Sequence, residues 1–548
     1  MMHRNGVCAA AVVWCASAGG CYVGAVEGPT EQAQWPGPQD INGESPANEC
    51  AAEASAPDVL RRLTRSQYLN TVAELSGLPI PDTLTGLVPV DPMGSTGFSN
   101  EGQGLLVQQQ HATAYQRIAE YVAKTRFTTP GAAQFAGCEV QEPSCLEAFV
   151  RRIVRRAYRR TPSDQEISDL LGLAQGLADP NDPWSAHAVV LETVLQSPHL
   201  LQVPEPGTPS ELEGRQRLSG TVLATRLALW LWDRAPDDPL LDLATDGVLD
   251  TTDGLAATIE QMLADPRARD GVMAMATQWF EIDEVMTVAL DSETFPAWTD
   301  PMRRSARGEL EHLLVEHLAG PDANYRSLFD GTQSFVDANL GSLYGLDVDG
   351  LSEDFEPVWF DPAQQRGGLF GSAGFLAMGS SGTQASTVRR GAYVRRAVLC
   401  DEPPPPPPGV EMGDEDATTD HGSDPGCWAC HAYLDPIGWG LERYDAMGGL
   451  REVGDDGQPF EDRGYVHAVS TTPFGNAPQL GTIVAESDRL ALCAVKRLVE
   501  WATARPLDDA ERCEAPTLRA VLENNEHSIP TLSRAIATSA LFTHRTVP

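Results

Sequence analysis

Apolar residues recur at helical spacing along most of the chain. Thr64 and Gln67 form a capping-box pattern at the start of one such stretch, and Ser163 and Glu166 form another. The segment 77–104 is rich in Gly, Pro and Asp and is predicted to be a loop. The periodicity predicts helices over about 60–75, 111–124, 146–154, 163–173, 218–232, 254–264, 267–282, 301–318, 487–504 and 530–541.

Few stretches alternate with the period of two that half-buried strands show, so the strand content should be low. The chain has 548 residues, of which 42% are hydrophobic, and this length suits about three to five compact units. Its 41 prolines and 49 glycines indicate long connections. The predicted fold is therefore mainly α, with several helical domains joined by long loops.

The charge balance is strongly acidic, with 77 acidic and 39 basic residues and a net charge of −38. This argues against nucleic acid as a partner, because binding phosphates needs clustered Lys and Arg. One predicted helix nevertheless gathers six arginines, Arg151, Arg152, Arg155, Arg156, Arg159 and Arg160. An anion or lipid-headgroup site would use them, but pairing with the protein's own carboxylates is the favoured interpretation.

Residues 1–21 are laid out as a secretory signal, with a short basic start, an apolar run too short to span a bilayer, and small residues. Small residues directly before Cys21 resemble a bacterial lipobox, which predicts acylation of Cys21; the alternative is an ordinary cleaved signal. Residues 22–57 lack apolar periodicity and are predicted to be a flexible tether. We expect an exported cell-envelope lipoprotein, periplasmic or at the outer-membrane or cell surface, anchored to a membrane by its lipid.

Export permits disulfides, and the chain has 11 cysteines. Apart from the signal, the lipid site and one motif discussed next, six are available for pairing: Cys50, Cys138, Cys145, Cys400, Cys493 and Cys513. Sequence alone does not fix their connectivity. Short separations favour Cys138–Cys145 and Cys493–Cys513, and elimination leaves Cys50–Cys400.

The motif Cys427-Trp428-Ala429-Cys430-His431 is the C-x-x-C-H signature of c-type haem attachment. Two thiols at this spacing add to the two vinyl groups of one porphyrin, while the next residue places an imidazole on the iron. The motif predicts covalent haem c on Cys427 and Cys430, with His431 as the proximal ligand, in a small domain near the C-terminus. Six consecutive prolines, 403–408, form a stiff hinge ahead of it.

Three other interpretations of the motif stay open. They are a thioredoxin-like redox pair, which would want a βαβ setting, a zinc site completed by His421 or Cys400, and a plain Cys427–Cys430 disulfide. If haem is bound, the candidates for the sixth iron position are Met378, Met412, Met447, His421 and His467, or no residue at all. Methionine would favour an electron carrier, and an open position would favour small-molecule chemistry.

Three carboxylates follow the motif, namely Asp435, Glu442 and Asp445. Functionally they could relay protons or orient the haem ligand. Structurally, Asp435 could start a turn, while the other two cap or pair with nearby arginines. A structural role is favoured for Asp435, and the two roles are weighed equally for Glu442 and Asp445.

Residues 427–451 resemble the cytochrome-c-like segment of multidomain proteins that are abundant in planctomycetes and myxobacteria and are described as domains of unknown function. The similarity lies in His421, the C-x-x-C-H motif, Asp435-Pro436-x-Gly438, Glu442 and Tyr444-Asp445. It continues elsewhere, for example in Phe98–Glu101, Arg156–Arg160, Gln278–Phe280 and Arg390-Gly391. In the family's order, 58–126 resembles DUF1587, 144–204 DUF1595, 215–346 DUF1592, 366–463 DUF1588 with the motif and hinge, and 475–545 DUF1585.

The resemblance implies an exported, helical, haem-bearing protein and assigns no activity or catalytic residue. With a single C-x-x-C-H motif, electrons cannot pass from one haem to another within the chain, so a redox partner protein is expected. The first hypothesis is an electron-transfer or redox protein of the cell envelope. The alternatives are a haem-dependent enzyme, an oxidoreductase acting on an extracellular substrate, and a non-redox surface-binding protein with a Cys427–Cys430 disulfide.

Overall fold

The computed structural model describes residues 60–128, 130–212, 214–320, 323–347, 350–401, 425–454, 457–507 and 511–546, with the backbone alone for 103, 425–430, 511 and 546. The predicted signal 1–21 with Cys21, the tether 22–57 and the hinge 403–408 lie outside these residues, as do Cys50, Met412 and His421. No described helix combines the length and the apolar character that crossing a bilayer requires.

The described chain is mainly α-helical, which confirms the predicted fold class. Its helices are α1 (Arg65–Ser76), α2 (Asp82–Thr85), α3 (Gln109–Thr128), α4 (Ala132–Ala136), α5 (Cys145–Tyr158), α6 (Asp164–Leu177), α7 (Ser185–Leu195), α8 (Pro198–Leu201), α9 (Gly220–Leu231), α10 (Asp238–Thr245), α11 (Thr252–Leu263), α12 (Ala268–Trp279), α13 (Asp300–Ala319), α14 (Ser327–Asp330), α15 (Ala338–Leu343), α16 (Ala373–Met378), α17 (Thr387–Tyr393), α18 (Pro425–Trp439), α19 (Ala477–Ala485), α20 (Asp488–Thr503), α21 (Ala515–Asn524), α22 (Ile529–Thr538) and α23 (Ala540–Thr543). A π-helical segment, Val394–Val398, continues α17.

Every helical stretch predicted from periodicity overlaps one of these helices. Both predicted capping boxes form, at Thr64 with Gln67 and at Ser163 with Glu166. The predicted loop 77–104 differs in containing α2, a single turn that buries no residue. Such a turn produces no apolar stripe, so the hydrophobic pattern could not reveal it.

The strands are short and pair antiparallel. They are β1 (Arg61–Arg62), β2 (Gln202–Val203), β3 (Gly207–Pro209), β4 (Arg215–Leu218), β5 (Gln333–Val336), β6 (Glu356–Trp359), β7 (Ser380–Ser381), β8 (Gln384–Ala385), β9 (Gly464–Val466), β10 (Ser470–Phe474) and β11 (His544–Thr546). The pairs are β1–β2, β5–β6, β7–β8 and β9–β10, and β11, β4 and β3 form a three-stranded sheet in that order. Pairing of His544 with Arg217 fixes the end of the described chain to its middle.

Two hydrophobic cores hold the helices. The first lies among α1, α3, α5, α6 and α7, and Tyr68 and Phe149 are fully buried in it. The second joins α9–α13 to the helices that follow, and Leu310 and Leu498 are fully buried in it. Apart from Phe98, which lies in the second core, the predicted domains 58–126 and 144–204 thus share one core, and the three later ones share the other. α9 is buried on all sides and contributes to both cores, as expected for a central helix.

The arginine-rich face of α5 pairs mainly with the protein's own carboxylates, as favoured from sequence. The ion pairs are Arg151–Glu147 (2.9 Å), Arg155–Asp238 (2.9 Å), Arg156–Glu74 (2.9 Å) and Arg160–Glu166 (2.6 Å). Arg159 is buried instead and donates to the carbonyls of Leu200 and Gln202. These partners account for most of the cluster without an external anion.

Two disulfides join described cysteines. The predicted Cys138–Cys145 bond is confirmed. Cys400 is bonded to Cys493, 93 residues away, so the predicted pairs Cys493–Cys513 and Cys50–Cys400 are wrong. The prediction from short sequence separation failed because α20 packs beside the end of the π-helical segment. This packing places the Cα atoms of Cys400 and Cys493 5.2 Å apart. Cys513 is also disulfide-bonded, but not to Cys493.

A buried carboxyl group lies at the centre of the second core. Glu309 of α13 is fully enclosed and accepts hydrogen bonds from the hydroxyls of Ser334 and Tyr344, each at 2.6 Å, and from the backbone N–H of Ala373 at 3.0 Å. Burial raises the pKa of Glu309 to about 7. The group joins three separate segments at the cost of keeping an ionisable carboxyl away from water.

Glu309→Gln should therefore gain stability relative to the wild type as the pH rises from 5 to 8. Because the pKa of Glu309 is raised in the folded state, the wild type keeps its whole contribution from Glu309 to the free energy of unfolding below the ordinary carboxyl pKa. It loses that contribution as the pH rises through about 7. The difference in unfolding free energy should move by up to about 3 kcal/mol in favour of the variant, as followed by urea denaturation. Glu316→Gln, on an exposed position of the same helix, should show no such trend; equal trends would contradict the assignment.

Candidate functional site

The C-x-x-C-H motif lies in α18, near its N-terminal end. Positions 427, 430 and 431 are separated by one helical turn, so the backbone places them on one side of the helix. The following turns of α18 are buried in the second core, where Ile437 is fully enclosed. The predicted haem ligand therefore sits on a helix whose far end is anchored in the protein interior.

His431 is held by the carboxylate of Asp435, one turn further along α18. Its Nδ1 lies 3.0 and 3.1 Å from the two carboxylate oxygens. The Asp435 side chain is 2% exposed, whereas that of His431 is 23% exposed. An imidazole oriented through Nδ1 binds a metal through Nε2. Asp435 thus orients the His431 imidazole from within α18 and starts no turn, which corrects the turn-forming role favoured from sequence.

Glycines allow α18 to cross α17 at close range. A Cβ on Gly391 would overlap the backbone oxygen of Leu434, and a Cβ on Gly438 would overlap the backbone of Thr387. Because position 387 meets 438 while 391 meets 434, the two helices run antiparallel at the crossing. The two contacts are four residues apart on each helix and so lie on one face of it, and at both of them a glycine lets the two backbones touch directly.

Two buried arginines fix the segments around α18. Arg390 donates to the carbonyls of Leu441 (2.7 Å), Tyr444 (2.9 Å) and Asp445 (2.7 Å). Arg395 donates to the carbonyl of Tyr433 (3.0 Å) and pairs with the buried Asp401 (2.8 Å). Burial lowers the pKa of Arg390 to about 10.

The other two carboxylates have structural partners. Glu442 pairs with Arg463 at 2.8 Å. Asp445 accepts from the backbone N–H groups of Met447 (2.8 Å) and Gly449 (2.7 Å) and so closes a turn. Of the two roles weighed for Glu442 and Asp445, these contacts favour the structural one.

A cleft of about 1060 Å³ opens at the C-terminal end of α18. Gly438 and Trp439 contribute to its wall, and Gly438 lies on the same helical face as His431, two turns and about 10 Å further along the axis. The guanidinium of Arg463 lies 5.3 Å from the Trp439 ring centroid, and that of Arg451 lies 5.0 Å from the Phe460 centroid. The wall therefore combines aromatic faces with charged groups.

The candidates for the sixth iron position are spread over several elements. His467 follows β9, and its ring centroid is 4.4 Å from that of Tyr433 on α18. Met447 is buried in the second core, and Met378 ends α16 and packs against that core. Because Met412 and His421 lie outside the described residues, the choice stays a prediction.

The structure bears on two competing interpretations of the motif, the zinc site and the thioredoxin-like redox pair. Cys400 is bonded to Cys493, so in this state it cannot complete a zinc site with Cys427 and Cys430. α18 is followed by turns and the hairpin β9–β10, and no βαβ unit surrounds it in the described chain.

Sequence reasoning favoured a turn for Asp435, which lies within α18, and missed Arg395. Asp435 carried a usable signal, because a carboxylate four residues after a helical histidine faces it. Arg395 carried none, since Tyr433, 38 residues away, meets it only through the tertiary fold.

Comparison with family models gives five matches, each described as a protein of unknown function. They are DUF1587 over residues 61–128, DUF1595 over 145–205, DUF1592 over 218–346, DUF1588 over 366–454 and DUF1585 over 470–542. Neither the curated proteins nor the solved structures give a match. The five matches follow the order expected from the sequence, and the chain therefore belongs to the multidomain family built of DUF1587, DUF1595, DUF1592, DUF1588 and DUF1585.

Proposed function

We propose that the protein is a c-type haem protein of the cell envelope that acts in electron transfer or redox chemistry. Cys427 and Cys430 would hold the haem covalently, and His431 would bind the iron. The observation that carries this proposal is the hydrogen bond between Nδ1 of His431 and the buried Asp435 within the motif's own helix. An imidazole oriented in this way is prepared to bind a metal.

The residues of the chain divide the work at this site. Bound haem would supply an iron that exchanges one electron between its ferric and ferrous states. Asp435 holds the imidazole and shares its proton at Nδ1, which stabilises the more positive oxidation state. Arg390 and Arg395 fix the segments around α18, so the ligand keeps its orientation when the charge of the site changes.

Location and partners belong to the same proposal. The layout of residues 1–21 and the lipobox-like end at Cys21 support export and membrane tethering. With one C-x-x-C-H motif, electrons must pass to or from another protein, and the net charge of −38 would favour a basic partner. The short name PSCyt3 of the DUF1588 model agrees with a cytochrome-like domain.

The cleft at the end of α18 favours a second candidate, a haem-dependent oxidoreductase. Its volume of about 1060 Å³ is ample for a small organic substrate, and its wall includes Trp439 and Phe460 as aromatic faces. Gly438, which contributes to its wall, lies about 10 Å along the helix axis from His431, the residue that would hold the iron.

Expression of the chain with a cytochrome c maturation system tests the haem proposal. We expect covalent haem on a denaturing gel and a c-type absorption spectrum, both lost in the variant Cys427→Ala with Cys430→Ala. The matched control, Cys138→Ser with Cys145→Ser, removes a cysteine pair in the other core and should keep the haem. A colourless wild-type chain, made beside a cytochrome that matures normally, would overturn the proposal. Turnover of organic substrates with peroxide would favour the enzyme over the carrier.

A further inference from the structure

A second group of ligand-type side chains lies in the first core, apart from α18. Cys138 lies in the connection between α4 and α5, Cys145 is the first residue of α5, and His187 belongs to α7. Nε2 of His187 is 3.5 Å from Sγ of Cys145. One donor atom from each of the three residues lies within 4.8 Å of the others.

His187 is an unusual residue for its surroundings. It is 3% exposed, and its ring centroid lies 4.9 Å from that of Trp184, 5.4 Å from that of Phe149 and 5.8 Å from that of Phe127. Its Nδ1 is buried and has no hydrogen-bond partner among the described residues. An unsatisfied buried polar atom costs about 1–3 kcal/mol, so an apolar residue would serve packing better. The imidazole is oriented instead with Nε2 toward the disulfide.

We propose that Cys138, Cys145 and His187 form a redox-controlled site for a thiophilic metal ion, Zn²⁺ or Cu⁺. In the oxidised protein the two sulfurs are bonded to each other and the site is closed. A dithiol reductant opens it: the S–S bond takes two electrons and two protons and becomes two thiols, while the reductant becomes a disulfide. When the ion binds, the thiols release two protons to solvent and two sulfur–metal bonds and one nitrogen–metal bond form.

The donor set selects this class of ion. Two thiolates and one imidazole suit Zn²⁺ or Cu⁺ and do not suit Mg²⁺ or Ca²⁺, which take oxygen ligands. Cys138 is half-buried and lies in a connection rather than in a helix, so its sulfur can separate from that of Cys145. Zn²⁺ would take a solvent molecule as its fourth ligand on the half-buried side of the site, next to Cys138, whereas three ligands are enough for Cu⁺. The site uses none of the residues assigned to haem.

Metal titration of the reduced full-length chain tests the site. In a Cys427→Ser, Cys430→Ser background the C-x-x-C-H motif offers no thiols, so the result does not depend on haem. After reduction with a non-chelating phosphine, the protein should bind one Zn²⁺ that the oxidised protein does not bind. His187→Gln and Cys138→Ser should each weaken the binding by more than the roughly 10–100-fold that the loss of an outer-shell partner costs, because each removes one of three protein ligands.

The reductant also opens Cys400–Cys493 and the disulfide of Cys513. Two matched controls, Cys400→Ser with Cys493→Ser and Cys513→Ser, should therefore bind as before. X-ray absorption of the zinc-loaded protein with His187 and both cysteines intact does not depend on the folding of a site variant. It should show two sulfurs at about 2.3 Å and nitrogen or oxygen at about 2.0–2.1 Å. Competition with a Cu⁺ chelator then decides between the two ions. No uptake on reduction, uptake that survives Cys138→Ser, or a shell without sulfur would overturn the proposal.

Discussion

Replacing Asp435 with Asn is expected to raise the reduction potential of haem bound to His431 by on the order of 60–120 mV. The estimate treats the loss of this partner as a 10–100-fold change in preference between ferric and ferrous iron. Asn keeps the size of the side chain and can still accept from Nδ1, but it removes the negative charge. Because Asp435 is 2% exposed, little water screens that charge. Spectroelectrochemical titration of the two proteins measures the shift.

The control for this prediction is Glu442→Gln. Glu442 lies beyond the end of α18, pairs with Arg463 and makes no described contact with the imidazole, so its loss removes one charge without touching the ligand. Its shift should be much smaller than that of Asp435→Asn. Equal shifts, or a lower potential in Asp435→Asn, would mean that the carboxylate does not act through His431.

Gly391→Ala and Gly438→Ala should each destabilise the protein by about 3 kcal/mol, the upper end of the usual cost of overpacking. In both cases the new methyl group would overlap backbone atoms of the facing helix, which cannot rotate away as a side chain can. Separation of α17 from α18 would also disturb the carbonyls that Arg390 holds. Urea denaturation should show the loss, and the yield of covalent haem should fall with it.

Gly172→Ala provides the matched control. Gly172 is exposed in the middle of α6, and no atom lies within 4 Å of the Cβ it would gain. Alanine there should stabilise the protein by about 0.5–1 kcal/mol because it restricts the unfolded chain. If Gly438→Ala behaved like Gly172→Ala, the close crossing of α17 and α18 would be incorrect.

Local signals in the sequence predicted the local structure. The capping boxes at Thr64 and Ser163 form as expected, because a cap depends on residues three positions apart. The bond between Cys138 and Cys145, seven residues apart, was likewise accessible to a separation argument. The same argument failed for Cys493, whose partner Cys400 is reached through packing and not through the chain.

The candidate site was predicted in part. Its central residues could be predicted from the C-x-x-C-H motif without any structure, because the residues expected to bind haem lie within five consecutive positions. What orients that motif came from the fold: the 2% exposure of Asp435, the backbone contact at Gly391 and Gly438, and Arg395 at Tyr433. The position of His187 beside a disulfide is of the same kind.

By itself the sequence determined the helical class and the motif that suggests haem, because helix periodicity, capping and motif spacing act over a few residues. The order of five domains came from the resemblance to a known family, and the family models confirm it. Only the tertiary structure decided how five predicted domains share two cores, which cysteines pair over long distances, and which buried carboxylate holds His431. These features depend on contacts between residues far apart in the chain. Hydrophobic burial, which drives such contacts, is non-directional and depends only on the apolar area removed from water. The local sequence pattern therefore does not show which apolar surfaces will meet.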